Sequence, residues 1–196
     1  FPLLNATAQT LNGMIYVAGG HDTIGSISRN SLLVYDPATN SWAFRAAMPS
    51  ARGMAASAVV DGKLYVLGGE TSISTLNKVE MYDPILDQWT EKAPLPTARA
   101  GFRAETIQGK IYAIGGIGDS GFMSAVDIYD PVANTWTTGP GMPGPRFWYG
   151  SAATDTVIYV FGGAINYQYT IETTLRFTPN TGWTDMNLKL PEFKVY

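Results

Sequence analysis

Asp61-Gly62-Lys63-Leu64-Tyr65-Val66-Leu67-Gly68-Gly69, followed by Tyr82-Asp83-Pro84 and Trp89, carries most of the architecture of this chain. Asp-Gly between two apolar runs predicts a tight hairpin, because glycine accepts the positive φ that such turns need. Met54 to Val60 reads as the strand before it and Leu64 to Leu67 as the strand after it. The second strand is apolar at every position instead of alternating, so it is expected to be covered on both faces. In Tyr-Asp-Pro the aspartate can accept a backbone hydrogen bond in an Asx-turn while proline presets φ, which ends a third strand. A fourth strand starts at Trp89 and alternates through Thr90, Glu91, Lys92 and Ala93, as suits a partly solvated outer edge.

These marks recur along the chain. Diglycines stand at Gly19-Gly20, Gly68-Gly69, Gly115-Gly116 and Gly162-Gly163, and Trp42, Trp89, Trp136 and Trp183 follow one another at intervals of 47. Tyr35-Asp36-Pro37, Tyr82-Asp83-Pro84 and Tyr129-Asp130-Pro131 decay to Phe177-Thr178-Pro179 in the last unit. Met48-Pro49, Leu95-Pro96, Met142-Pro143 and Leu190-Pro191 close the units, and Arg52, Arg99 and Arg146 come three residues after the first three prolines. Several independent landmarks keeping one period mean a repeat architecture. No stretch longer than one turn shows the 3.6-residue period of an amphipathic helix. Four-stranded antiparallel units with a middle strand covered on both faces must pack sheet against sheet, and arranged radially they make a β-propeller.

A diglycine after an apolar strand, then Tyr-Asp-Pro, then Trp seven residues after the Tyr resembles kelch repeats, over about residues 3–191. The resemblance implies an all-β propeller of four-stranded antiparallel kelch blades, in one domain or segment over 1–196 with blades at 3–49, 52–96, 99–143 and 146–191. Kelch rings usually hold five to seven blades, so four visible units are expected to be part of a larger ring, with a true four-bladed ring as the alternative. Lys194, three residues after Pro191, stands where the other units have arginine and points the same way.

Composition narrows the function. The chain has 196 residues, 13 Lys+Arg against 16 Asp+Glu, no cysteine and one histidine. Disulfides, thiolate metal sites, iron–sulfur clusters and cysteine nucleophiles are therefore excluded, while the compartment stays open. A net charge of −3 without basic runs argues against nucleic acid as partner, and no apolar run reaches membrane-spanning length. No diglycine is followed by Gly-Lys-Ser/Thr, so none is a phosphate loop. The glycines are instead expected to permit close backbone approach, and the periodic Trp and Tyr to form blade-to-blade core. Copper oxidation on a kelch propeller needs a cysteine-modified tyrosine, which this chain cannot form. The Glu/Asp/His cluster of iron-dependent kelch proteins is not found, and no cofactor or metal site is expected.

The expected function is non-catalytic: binding of a protein or peptide through the face made by the strand 2–3 loops and the inter-blade linkers. Loops on a rigid scaffold carry function, and the variable loops here are His21 to Ser31, Glu70 to Asn77, Ile117 to Met123 and Ala164 to Ile171. Arg52, Arg99 and Arg146 enter strand one from this face. Converging guanidiniums would bind carboxylates through forked donors and so suit an acidic partner; alternatively, each staples its blade by bonding carbonyls or the Glu70 and Asp119 regions. Trp148, Tyr149, Tyr167 and Tyr169 are the residue types of binding hot spots and sugar platforms. They support the alternative of a carbohydrate-binding propeller, or a fragment of a kelch-type carbohydrate-active enzyme. His21, Asp22, Glu70 and Asp119 are further ligand candidates, although a lone loop histidine is generally just solvated. Asn5-Ala6-Thr7 is a glycosylation sequon placed in an inner strand, where no glycan is expected.

Overall fold

The computed structural model of the chain describes residues 3–22 and 27–189. Four antiparallel sheets of four strands follow one another, each an up-and-down meander. Blade 1 holds β1 (Thr7–Leu11), β2 (Met14–Ala18), β3 (Leu32–Asp36) and β4 (Ser41–Arg45). Blade 2 holds β5 (Ala56–Val60), β6 (Lys63–Leu67), β7 (Val79–Asp83) and β8 (Gln88–Lys92). Blade 3 is built from β9 (Arg103–Ile107), β10 (Lys110–Ile114), β13 (Val126–Asp130) and β14 (Thr135–Gly139). A short hairpin, β11 (Ile117–Gly118) with β12 (Gly121–Phe122), decorates its variable loop. Blade 4 comprises β15 (Gly150–Ala153), β16 (Ile158–Phe161), β17 (Thr173–Thr178) and β18 (Gly182–Lys189). Leu190-Pro191 and Lys194 lie outside the described residues.

Local chemistry behaves as the motifs require. Asp61 (φ 49°) and Gly62 (φ 70°) make the left-handed pair of the β5–β6 hairpin. Asp36, Asp83 and Asp130 each accept a backbone N–H two residues on, at 2.8, 2.9 and 3.0 Å, closing the expected Asx-turns. At Gly68 (φ +56°) a Cβ would lie 2.5 Å from the Arg99 carbonyl oxygen, so the backbones can meet only without a side chain. Middle strands such as β6 and β10 are buried on both faces, and the outer strands β8 and β14 are mostly exposed. Three apolar clusters fill the three gaps between successive blades. The inner strands also bond across the gaps: Thr106 Oγ1 donates to the Val59 carbonyl at 3.1 Å and Gln9 Nε2 to that of Ser57 at 2.7 Å.

Three expectations need correction. First, strand one of blade 2 starts at Ala56 and not at Met54, because Met54 (φ 51°) is left-handed and cannot extend a strand. Second, the periodic tryptophans flank the core instead of filling it: Trp89, Trp136 and Trp183 are partly buried and pack against the three inter-blade clusters. At the outer edge each of these indole N–H groups reaches a carbonyl of the preceding blade: Ala46, Ala93 and Pro140, at 2.7, 2.9 and 2.8 Å. Trp42, with no preceding blade among the described residues, is 57% exposed. The tyrosines of the turn motif, Tyr82 and Tyr129, are the buried partners beneath these indoles. Third, Asn5 precedes β1 and is exposed, so only Thr7 of the sequon lies in the inner strand.

Candidate binding face

The loop face is knitted by backbone pairing. The residue after each diglycine bridges to the segment leading into strand one: His21 to Leu4, Glu70 to Gly53, Ile117 to Ala100 and Ala164 to Phe147. The next linker residue in each blade, Asn5, Met54, Gly101 or Trp148, has φ between 51° and 62°. These four are joined in a chain: the Met54 N–H donates to the Asn5 carbonyl, Gly101 to Met54, and Trp148 to Gly101, at 2.9, 2.9 and 3.1 Å. The left-handed turn reverses the linker into strand one and leaves Asn5 and Trp148 exposed and Met54 partly exposed.

The arginines sit one turn below this rim and are buried, so the expected carboxylate site on Arg52, Arg99 and Arg146 does not exist as an open surface. Each spends its fork on its own blade. Arg52 Nη1 donates to the carbonyls of Gly68 (2.9 Å) and Lys78 (3.0 Å), and Arg146 Nη1 to those of Gly162 (3.0 Å) and Thr173 (2.9 Å). Arg99 reaches the Gly115 and Ala125 carbonyls at 3.4 Å. The Arg52 N–H and carbonyl meanwhile bond Arg29 and Gly20 of the blade before, so these residues staple neighbours together.

The anionic partners of two arginines come from β7 and β13, not from Glu70 or Asp119. Glu80 lies 3.0 Å from Arg52 Nη2, and Asp127 pairs with Arg99. Burial depresses the pKa of all three guanidiniums, offset by Glu80 at Arg52 and by Asp127 at Arg99. Sequence held a signal for these pairs. The acids stand two residues before the turn tyrosine, and blade 1 has Leu3 and Leu33 in the two positions. With the arginines committed internally, a preference for acidic partners loses the groups that carried it.

His21 is buried, not solvated. Its ring packs where a Cβ on Gly53 would come within 2.1 Å of Nε2, and Nε2 lies 3.6 Å from Glu70. Asp22 faces Arg29 at 3.8 Å, and Asp119 accepts the Thr75 hydroxyl at 2.7 Å across blades 2 and 3. Residues 23–26 of the first variable loop lie outside the described residues. Among the described residues no three His, Asp or Glu side chains gather as a metal site.

The aromatic candidates divide at the left-handed linker residue Trp148 (φ 52°). Phe147 and Tyr149 on either side of it are buried, while Trp148 is 60% exposed. Tyr149 is therefore structural: its hydroxyl donates to the Ile114 carbonyl at 2.5 Å, accepts the Arg103 N–H at 3.2 Å, and burial raises its pKa. Trp148 lies over Gly101, where a Cβ would come within 3.3 Å of the indole. Phe122 of the β11–β12 hairpin meets Phe147 at 4.9 Å and Tyr167 at 5.1 Å between ring centres, and Phe147 meets Trp148 at 4.7 Å. Tyr167 is 75% exposed and Tyr169 is exposed beside it in the last variable loop. Trp148 and Tyr167 thus form one aromatic ledge, seated on Phe122 and Phe147, between blades 3 and 4.

A second concavity, of about 240 Å³, opens along the inner strands and is lined by Gln9, Ser57, Arg103, Glu105 and Ser151 among others. Burial raises the pKa of Glu105, against a hydrogen bond from Ser151 at 2.5 Å and the charge of Arg103. Sequence reasoning missed this pair, since the corresponding positions vary between blades and carry no repeat signal.

The family model described as the KLHDC2/KLHL20/DRC7 Kelch-repeats domain matches residues 5–192. An F-box/kelch-repeat protein of Arabidopsis thaliana is 39% identical over 67 residues, which is 34% of this chain and 18% of that protein. Kelch-like protein terF of Aspergillus terreus is 38% identical over 72 residues, 34% of this chain and 16% of its own length. Alpha-scruin of Limulus polyphemus is 38% identical over 64 residues, 33% of this chain and 7% of that protein. The matched segments thus span under a fifth of these relatives. The solved structure of YjhT superposes with a TM-score of 0.83 at 19% identity, covering 95% of this chain and 66% of that one, a likeness of fold.

Proposed function

The chain belongs to the kelch-repeat family, and on that premise we propose that it serves as a non-catalytic binding propeller that takes a protein or peptide segment on its loop face. The observation that carries this reading is the ledge of Trp148 and Tyr167, two large exposed rings braced from beneath by Phe122 and Phe147. Aromatic anchors held in place lose little entropy on binding and dominate interface energetics. The partner is bound through apolar and aromatic contact more than through charge, since the arginines are withdrawn into the blades.

The test uses peptides selected by display against the whole chain. Trp148→Ala with Tyr167→Ala should weaken the selected peptides at least tenfold, with a shallow salt dependence. Binding within twofold of the unaltered chain would refute the assignment of the ledge. The exposed ring faces also suit sugar stacking. Carbohydrate therefore stands as the second reading, favoured if a glycan array yields ligands lost with the same two substitutions while no peptide is selected.

A further inference from the structure

We propose that the polar concavity along the inner strands is a binding site for a free amino acid, with Arg103 taking its carboxylate and Glu105 its ammonium group. Both side chains line this space of about 240 Å³, together with Gln9, Ser57 and Ser151, so β1, β5, β9 and β15 all contribute to its wall. A volume of that size lies below the roughly 300–1,000 Å³ of drug-sized sites and suits a ligand of few atoms. None of these residues belongs to the aromatic ledge.

The repeat shows that the fold requires neither charge. Strand one of each blade pairs with strand two in a common register, in which Tyr16, Tyr65, Tyr112 and Tyr159 stand opposite Gln9, Ala58, Glu105 and Ala152. Two residues earlier on strand one come Thr7, Ala56, Arg103 and Gly150. Three blades are thus built with uncharged residues at both places, and blade 3 alone sets a cation and an anion there. Burial also raises the pKa of Glu105, so folding disfavours its ionised form. A charge pair that the blade does not need, half of it destabilised by burial, has the character of a functional site.

Arg103 and Glu105 are two residues apart on β9, so they project from one face with Cα atoms about 6.6 Å apart. Among the described residues neither joins an ion pair. Arg103 Nε donates to the Tyr149 carbonyl at 3.0 Å, which fixes the guanidinium and leaves both Nη groups as a fork for a carboxylate. Glu105 Oε1 accepts the Ser151 hydroxyl at 2.5 Å, while Oε2 has no hydrogen-bond partner among the described residues. Gln9 Nε2 is engaged by the Ser57 carbonyl at 2.7 Å, which leaves its Oε1 as a further acceptor. Charge then selects the ligand. An anion alone would be repelled by Glu105, a cation alone by Arg103, and a neutral sugar would displace water while answering neither charge. An α-amino acid carries both charges on one carbon and answers both.

Calorimetric titration of the 196-residue chain with each common amino acid tests this. At neutral pH at least one should bind with a dissociation constant of about 1 mM or tighter. The acid lacking its amine, and the amine lacking its carboxylate, should each bind at least tenfold more weakly. Arg103→Gln and Glu105→Gln should each lose at least tenfold in affinity, with circular dichroism establishing that they are folded. Only ionised Glu105 receives an ammonium, so affinity should fall between pH 7 and about 4, whereas the residual binding of Glu105→Gln should not. Besides Arg103, the ionisable groups facing Glu105 are Tyr149 before β15 and Tyr112 on β10, whose pKa values burial raises, so neither titrates in that range. No amino acid binding at about 10 mM, a lone carboxylate binding as tightly, or a folded variant that keeps its affinity within twofold would each overturn the proposal.

Discussion

Replacing the buried pair Arg52–Glu80 by the leucines that blade 1 carries at the same positions should show strong non-additivity. Both side chains are removed from solvent, and their charged ends approach to 3.0 Å. At an effective dielectric near 20, that separation corresponds to about 5.5 kcal/mol of attraction, which desolvation of several kcal/mol per ion largely cancels. The pair as a whole therefore adds little, but either half alone is an uncompensated buried charge. Glu80→Leu or Arg52→Leu alone should cost about 3–5 kcal/mol. The double variant loses the bonds to the Gly68 and Lys78 carbonyls, at 2.9 and 3.0 Å. Two partly satisfied carbonyls put its cost at about 2–3 kcal/mol. The singles should thus sum to at least about 3 kcal/mol more than the double, well beyond the ~0.5 kcal/mol within which independent sites add. Urea unfolding at neutral pH, followed by tryptophan fluorescence with a common slope across the four proteins, measures the cycle. Single substitutions costing under about 1 kcal/mol, or additivity within ~0.5 kcal/mol, would refute the account of a mutually dependent buried pair.

Further outcomes follow from the same contacts. Gly53→Ala should destabilise by driving a methyl into the His21 ring, and His21→Ala in the same chain should recover most of the loss; thermal melts of the three variants decide it. Trp89→Phe should cost about 1 kcal/mol for the indole bond to Ala46, whereas Trp42→Phe in the free chain should be nearly silent, as equal losses would contradict. The raised pKa of Glu105 means that stability is lost as pH rises through its folded-state value. Glu105→Gln should therefore melt higher than the unaltered chain at neutral pH, with the difference closing toward pH ~4, where an ordinary glutamate protonates. A gain that grows on acidification would contradict the burial argument.

The repeats were legible because the groups that terminate strands act locally. An Asx-turn at Asp83 or a left-handed Asp61-Gly62 hairpin needs only neighbours in sequence, so its spacing alone announces it. Which of Phe147, Trp148 and Tyr149 is exposed was not legible, because it turns on the left-handed backbone at Trp148. The arginines were seen but misplaced. Recurrence marked them as important, yet whether a guanidinium faces water or its own blade depends on the distant carbonyls that each one reaches, joined in two of the three blades by Glu80 and Asp127.

By itself, then, the amino-acid sequence determined the four blades, their strand order and the face on which variation collects, because each follows from turn chemistry repeated at one period. Tertiary structure alone decided which of the marked side chains a partner could touch. Burial is set by what packs on a blade from outside it, and so Arg52, Arg99, Arg146 and Tyr149 went inward while Trp42, Trp148 and Tyr167 remained at the surface. The four tryptophans make the physical reason plain. One motif at one spacing yields a hydrogen-bonded, half-buried indole wherever a blade precedes it and an exposed indole where none does among the described residues.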